Sequence, residues 1–227
     1  MTNDVASYMK AAQYERAPGI YSTTQGGFAP NNIYAGAALM GEVMGLNTGL
    51  AGSYFTAWGK PLAGIIPEPI TQTQYNAIAG KNCNVYTNFG SFPLVSPGKM
   101  PNGYYIDLVI FLDVLTANIT YNLMNLLTSL PALPITDTGE QQAIHQVNLA
   151  CQQMVDIGFL SPGIWNGVTL LNLSPGDPVA AGYLCQALPV AQLSAGARAA
   201  RQLQPIYLAI ICSDAAQMIT VAVVVQA

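Results

Sequence analysis

The chain has 227 residues, 52% of them apolar and only 8% charged, with a formal net charge of −4. That length suffices for one large buried core or two small ones. The seven Lys and Arg, none of them between residues 100 and 197, exclude the clustered basic track that nucleic-acid binding needs.

Residues 3–17 (NDVASYMKAAQYERA) read as a short helix capped by Asn3 or Asp4, and PGIYSTT as extended chain. Residues 29–47 are rich in Ala and Met and predict a helix. Its Gly41 and Gly45 form a G-x-x-x-G pair suited to close packing in a soluble core. Residues 48–69 are loop, with one short strand near 62–66. TQTQYNAIAGK predicts a helix begun by Thr71 and ended by Gly80. NCNVYTNFG alternates and predicts a strand over 82–90.

Residues 102–130 predict the longest helix, with Ile106, Val109, Ile110, Leu115, Ile119, Leu123 and Leu126 at three- and four-residue spacing. Pro131 stops it. The next helix is capped by Thr136 or Asp137, carries Glu140 in its first turn, and ends at Gly158. Its apolar face is Ile144, Val147, Cys151, Met154 and Val155. The short proline-containing link between these helices predicts antiparallel packing. After two turn-rich stretches, residues 179–188 predict a strand and residues 194–203 a short helix. Residues 205–213 and 217–227 then predict two adjacent strands turning through SDAA. The whole reads as an α+β (mixed α/β) domain: a sheet with packed helices and a C-terminal antiparallel hairpin.

So few charges, against roughly 25% in ordinary globular chains, leave a lone monomer a thin polar coat. Either partners cover much of the surface or the chain sits in a membrane. The membrane reading is the weaker, because a span needs about 20 mostly apolar residues and the uncharged stretches are broken by Asn, Thr, Gly and Pro. The N-terminus has no basic segment leading into an apolar one, so no signal peptide is expected. Cys83, Cys151, Cys185 and Cys212 form no C-x-x-C pair and read as four buried free thiols in a reducing compartment; no zinc site is expected.

No catalytic constellation emerges. His145, the single histidine, lies mid-helix with no spacing that names a nucleophile, and reads as a helix-surface or interface residue. Asp107 and Asp113 are six apart and fall on different helix faces. No phosphate loop is present, and Trp58 and Trp165 read as core anchors. A cytoplasmic α/β small-molecule enzyme or binding module stays as the alternative, and a polar pocket around His145 would favour it.

Several stretches in order do carry a resemblance: KNCNVYTNFG (81–90), NGYYIDLVIFLDVL (102–115), LPITDTG (133–139), FLSPGIWNG (159–167), GDPVAAGYL (176–184) and residues 197–225. Together they resemble the C-terminal half of contractile-tail sheath proteins of bacteriophages, from about residue 15 onward. The chain departs from the family at Val114, where Trp is usual, at Ala197, where Asp is common before Arg198, and in a closing turn without Gly. The resemblance implies one sheath-like domain over 1–227, with a helix and extended lead-in over 1–28 and the core over 29–227. It also implies a structural protein of the virion, assembled in the host cytoplasm, with no catalytic site, cofactor or metal. Implied partners are identical subunits in stacked hexameric rings, the tail tube and the baseplate; a tailocin would fit equally. Contraction would release an extended, higher-energy lattice into a compact one, and terminal arms would add strands to neighbours' sheets.

QMITVAVVVQA, at the end of the chain, has no charge, Pro or Gly. As a bare edge it would be an aggregation template. It reads either as a docking strand completed by a neighbour or as a central strand of the domain's own sheet. A mixture is favoured, in which the hairpin joins the core sheet and the remaining edge accepts an arm. Candidate subunit contacts are therefore Arg198, Arg201, Met218, Thr220, Ala222 and Val224.

Overall fold

The structure is a computed structural model and describes residues 4–23 and 30–217. The fold is α+β, as expected, and the described residues form two compact units. The first holds residues 4–23, 30–46, 55–110 and 215–217; the second holds Asn47–Tyr54 and Phe111–Asp214.

In the first unit, helix α1 (Val5–Ala11) starts at Asp4, whose carboxylate accepts from Ser7 N at 2.8 Å. It is shorter than predicted because Gln13 turns left-handed at φ 54°. A three-stranded sheet has the order β1 (Ile20–Tyr21), β2 (Asn84–Phe89), β3 (Phe92–Ser96), parallel and then antiparallel. The predicted strand over 82–90 is β2. Strand β3 contains Pro93, which removes a ladder donor and masks the strand in sequence. Val85 and Val95 are fully buried, and Val95 also pairs outward with the backbone of Gly59 and Lys60. No strand forms over 62–66; that stretch leads into a single bridge, Glu68 to Thr87.

A 3-10 turn (Pro30–Tyr34) precedes helix α2 (Ala35–Met44), which buries Ala35, Leu39 and Val43. The close packing expected at Gly41 is absent: among the described residues nothing lies within 4 Å of where its Cβ would be. Helix α3 (Gln72–Ala79) has the capping box its sequence announced. Thr71 accepts from Gln74 N, and the Gln74 side chain returns to Thr71 N at 2.8 Å.

Helix α4 (Ile106–Ser129) runs from the first unit into the second and is about 36 Å long. It is the one described helix long and apolar enough to cross a membrane, and 28% of its most apolar window is buried. Helix α5 (Asp137–Ile157) is capped by Thr136 and closed by Gly158 at φ 96°. The two helices run antiparallel. Asn118 Nδ2 donates to Gln153 Oε1 at 3.1 Å, and Asn122 Nδ2 to the Gln146 carbonyl at 3.2 Å. Tyr54, Phe111 and Phe159 form an aromatic cluster with centroids 5.2–5.8 Å apart.

Strands β4 (Gly163–Ile164) and β5 (Pro178–Val179) pair antiparallel, as do β6 (Tyr183–Gln186) and β7 (Tyr207–Ile210). Leu173, Val179 and Ala209 make a small buried cluster, against which Trp165, Leu170, Leu184 and Ile211 pack. The expected strand over 179–188 is thus two strands, split by the turn at Gly182. Helix α6 (Ala195–Ala199) ends early because Arg201 adopts φ 54°.

Candidate functional site

Arg198 and Arg201 lie at the end of α6, a helix started by Ser194, whose hydroxyl accepts from Ala197 N at 3.1 Å. Arg198 sits in the last turn, where the helix dipole favours a cation. Its guanidinium makes a long contact of 3.5 Å to the Ile135 carbonyl. Both arginines are exposed, and among the described residues neither is ion-paired with a carboxylate. Met218, Thr220, Ala222 and Val224 lie outside the described residues, as does the second strand of the predicted hairpin beyond Gln217.

The first strand of that hairpin is β7. Its described partner is β6, antiparallel from Tyr183↔Ile210 to Gln186↔Tyr207. The chain beyond it stays extended. Ile211 N donates to the Gly182 carbonyl at 2.8 Å, Ser161 N to the Ile211 carbonyl at 3.1 Å, and Ser213 N to the Phe159 carbonyl at 2.8 Å. Among the described residues no strand covers the other edge of β7.

A second surface was not singled out by sequence. Tyr121, Met124 and Leu127 follow one another at three-residue steps along α4 and are 68%, 54% and 54% exposed. The exposed Thr116, Thr120 and Thr128 turn their hydroxyls back onto the helix carbonyls of Leu112, Thr116 and Met124 at 2.8–2.9 Å. Their polar capacity is spent internally, so this outer face is largely apolar. The signal in sequence was the continuity of apolar residues around α4, more than one packed face needs.

The buried polar groups mostly hold the fold together. In the first unit, Glu68 Oε1 accepts from Thr23 N at 2.8 Å and from Asn32 Nδ2 at 2.9 Å. Asn32 also brackets Ile66, donating to its carbonyl and accepting from its N–H, each at 3.0 Å. Asp4 pairs with Lys81, and this bond, with that from Ser7, holds its carboxyl down at about 2. The pair borders a cleft of about 390 Å³ lined by Met9, Ile20, Ile78 and Cys83 among others. Asp107 is buried in the first turn of α4 and Asp113 is exposed, as their six-residue spacing required. In the second unit Glu140 is buried at the start of α5, and burial pushes its carboxyl pKa up. His145 is exposed on α5. Among the described residues no three His, Cys, Asp or Glu gather as a metal site.

Of the four thiols, only Cys83 and Cys151 are buried; Cys185 and Cys212 are half-buried, which corrects the expectation of four buried cysteines. Burial raises the Cys83 thiol to about 11 and also raises Cys212. The neighbouring Cys185 and burial raise the Cys151 thiol.

The family described as E217 tail sheath protein gp31-like, C-terminal domain, matches residues 106–225, more than half of the chain. A chain in the cryo-EM structure of the anti-feeding prophage baseplate, 6-fold symmetrised, is similar in fold, with a TM-score of 0.57 and 14% identity. The similarity covers 87% of this chain and 50% of that one, so the present chain spans about half its length. No curated protein matches in sequence.

Proposed function

Because the chain belongs to the E217 tail sheath protein gp31-like family through its C-terminal domain, we propose that it is a structural subunit of a contractile phage tail. Copies self-assemble as a sheath around the tail tube, and contraction of that sheath drives injection. The observation that carries this reading is the family match, which takes in α4, α5 and the whole β4–β7 region. The six-fold baseplate in which a chain of similar fold sits supports hexameric rings and contact with baseplate components.

Residues 1–227 act as one sheath-type module in this reading, located in the virion and assembled in the host cytoplasm, with a non-enzymatic role. The thin charge of the chain supports a subunit touched on several sides by its own copies. Arg198 and Arg201 are candidate contacts to carboxylates of a neighbour, and Met218, Thr220, Ala222 and Val224 are candidate strand-addition positions.

Negative-stain electron microscopy of the concentrated chain, with its solution mass from light scattering, tests this. Rings, tubes or striated polysheaths are expected. A monodisperse monomer that persists when the chain is embedded in a longer sheath polypeptide would overturn self-assembly.

A further inference from the structure

We infer that Asn166–Gly167 is a self-reacting modification site. In the folded chain the Gly167 nitrogen closes on the Asn166 side chain, ammonia leaves, and water opens the resulting ring to aspartate and isoaspartate. The other Asn-Gly pair of the chain, Asn102–Gly103, is held intact by the fold.

The fold requires glycine at 167. Strand β4 ends at Ile164, and the Trp165 backbone stays paired beyond it. Its N–H donates to the Asp177 carbonyl at 2.9 Å, and its carbonyl accepts from Gly176 N at 2.8 Å. The indole then folds over the bend that follows, where Nε1 donates to the Val168 carbonyl at 2.9 Å. A Cβ at position 167 would overlap the Trp165 ring, so the close approach demands a residue with none. The same lack of a side chain leaves the Gly167 nitrogen open to the residue before it. Asn166 is exposed, and among the described residues neither its carboxamide nor the Gly167 N–H makes a hydrogen bond.

Asn102–Gly103 has the same two residues in opposite surroundings. Asn102 Oδ1 accepts from Tyr104 N at 3.1 Å, which holds the carboxamide in its turn. Gly103 N donates to the Met100 carbonyl at 2.9 Å, and Asn102 N to the Tyr14 carbonyl at 3.2 Å. Attack needs a deprotonated glycine nitrogen and a carboxamide free to rotate onto it. Here both groups must first give up a hydrogen bond.

The reaction needs only water. The Gly167 amide gives its proton to hydroxide, its nitrogen bonds to Asn166 Cγ, and the side-chain nitrogen leaves as ammonia. Water then adds to one of the two ring carbonyls. Opening at the side-chain carbonyl gives aspartate; opening at the main-chain carbonyl gives isoaspartate. No electron is gained or lost. Either product adds a negative charge to a chain already at −4. Isoaspartate also inserts one backbone atom between Trp165 and Val168, the span that the indole hydrogen bond closes. The site does not depend on the tail-sheath reading; within that reading every copy carries the same ageing position on an exposed loop.

The test incubates the full chain at mildly alkaline pH in heavy-oxygen water, folded and in denaturant, followed by digestion and mass spectrometry. In denaturant both Asn-Gly pairs should take up label at similar rates. In the folded chain Asn166 should keep reacting, with Asn102 slower by roughly tenfold or more, as two retained hydrogen bonds imply. Trp165 emission should drift as Asn166 converts, and Asn166→Gln should abolish both the label and the drift. A folded chain in which Asn166 stays unlabelled, or reacts no faster than Asn102, would overturn the assignment. The wild-type readings stand even if the variant fails to fold.

Discussion

Asn32 and Glu68 are joined by a 2.9 Å hydrogen bond at a place where neither side chain reaches solvent. The same amide holds both polar groups of Ile66, so one side chain organises the turn before α2, the loop at 66–68 and the margin of β2. Asn32→Ala leaves several buried groups unsatisfied, each costing about 1–3 kcal/mol. The urea midpoint is expected to fall with an unchanged slope. Asn31→Ala, at an exposed neighbour, should stay within about 0.5 kcal/mol of wild type.

Gly182 and Gly176 make a matched pair. Both hold positive φ, 79° and 98°, but a Cβ at Gly182 would lie 2.8 Å from the Ser161 carbonyl carbon, while one at Gly176 meets nothing within 4 Å. Gly176→Ala is expected to cost only the left-handed penalty, about 1–2 kcal/mol. Gly182→Ala must also push apart the chain feeding β6 and the Ser161 backbone, and should lower the thermal midpoint further. Equal midpoints for the two variants would contradict this.

Two carboxyls should pull stability in opposite directions with pH. Asp4 is lowered from 3.8 to about 2, chiefly by Lys81 and then by Ser7. Its contribution is present above 3.8 and lost as pH falls toward about 2. Lys81→Ala should flatten that acid limb. Glu140 is raised above 4.5 by burial and then by Asp137, so the folded chain holds its proton more tightly than the unfolded one. Its contribution declines as pH rises from 4.5 through the folded value. Glu140→Gln should therefore be more stable than wild type at pH 7 and gain little at pH 4, as read by denaturant titrations at both pH values.

The arginine pair separates fold from assembly. Arg198 and Arg201 are exposed and unpaired with carboxylates among the described residues, so replacing both by Ala should leave stability within about 0.5 kcal/mol. Sedimentation of assembled material should nevertheless drop. Unchanged assembly would sink their proposed contact role.

Helix ends were legible because their signals are local. Thr71 with Gln74, Thr136 and Gly158 each act within one turn, and each does in the structure what its position announced. The strand over 82–90 was legible for the same reason, from its own alternation. Long-range pairing was not. Strand β7 reads as half of a terminal hairpin, yet its described partner β6 lies more than twenty residues upstream, and nothing local in YLAI specifies that choice. The overlong helix predictions failed at Gln13 and Arg201, where non-glycine residues turn left-handed at positions whose composition favours helix. The outer stripe of α4 was hidden because it depends on which side of the helix the rest of the chain leaves open.

The extended run from Tyr207 to Ser213 has a mechanical side. It is bonded first to β6, then to Gly182, then to Phe159–Ser161, the residues that leave α5 directly. Hydrogen bonds between antiparallel strands stand across the strand direction. A pull along the chain beyond Ser213 would therefore load these bonds together in shear, not one at a time. Tension arriving there would pass straight into the end of α5, making this seam a stiff coupling between Ser213 and that helix.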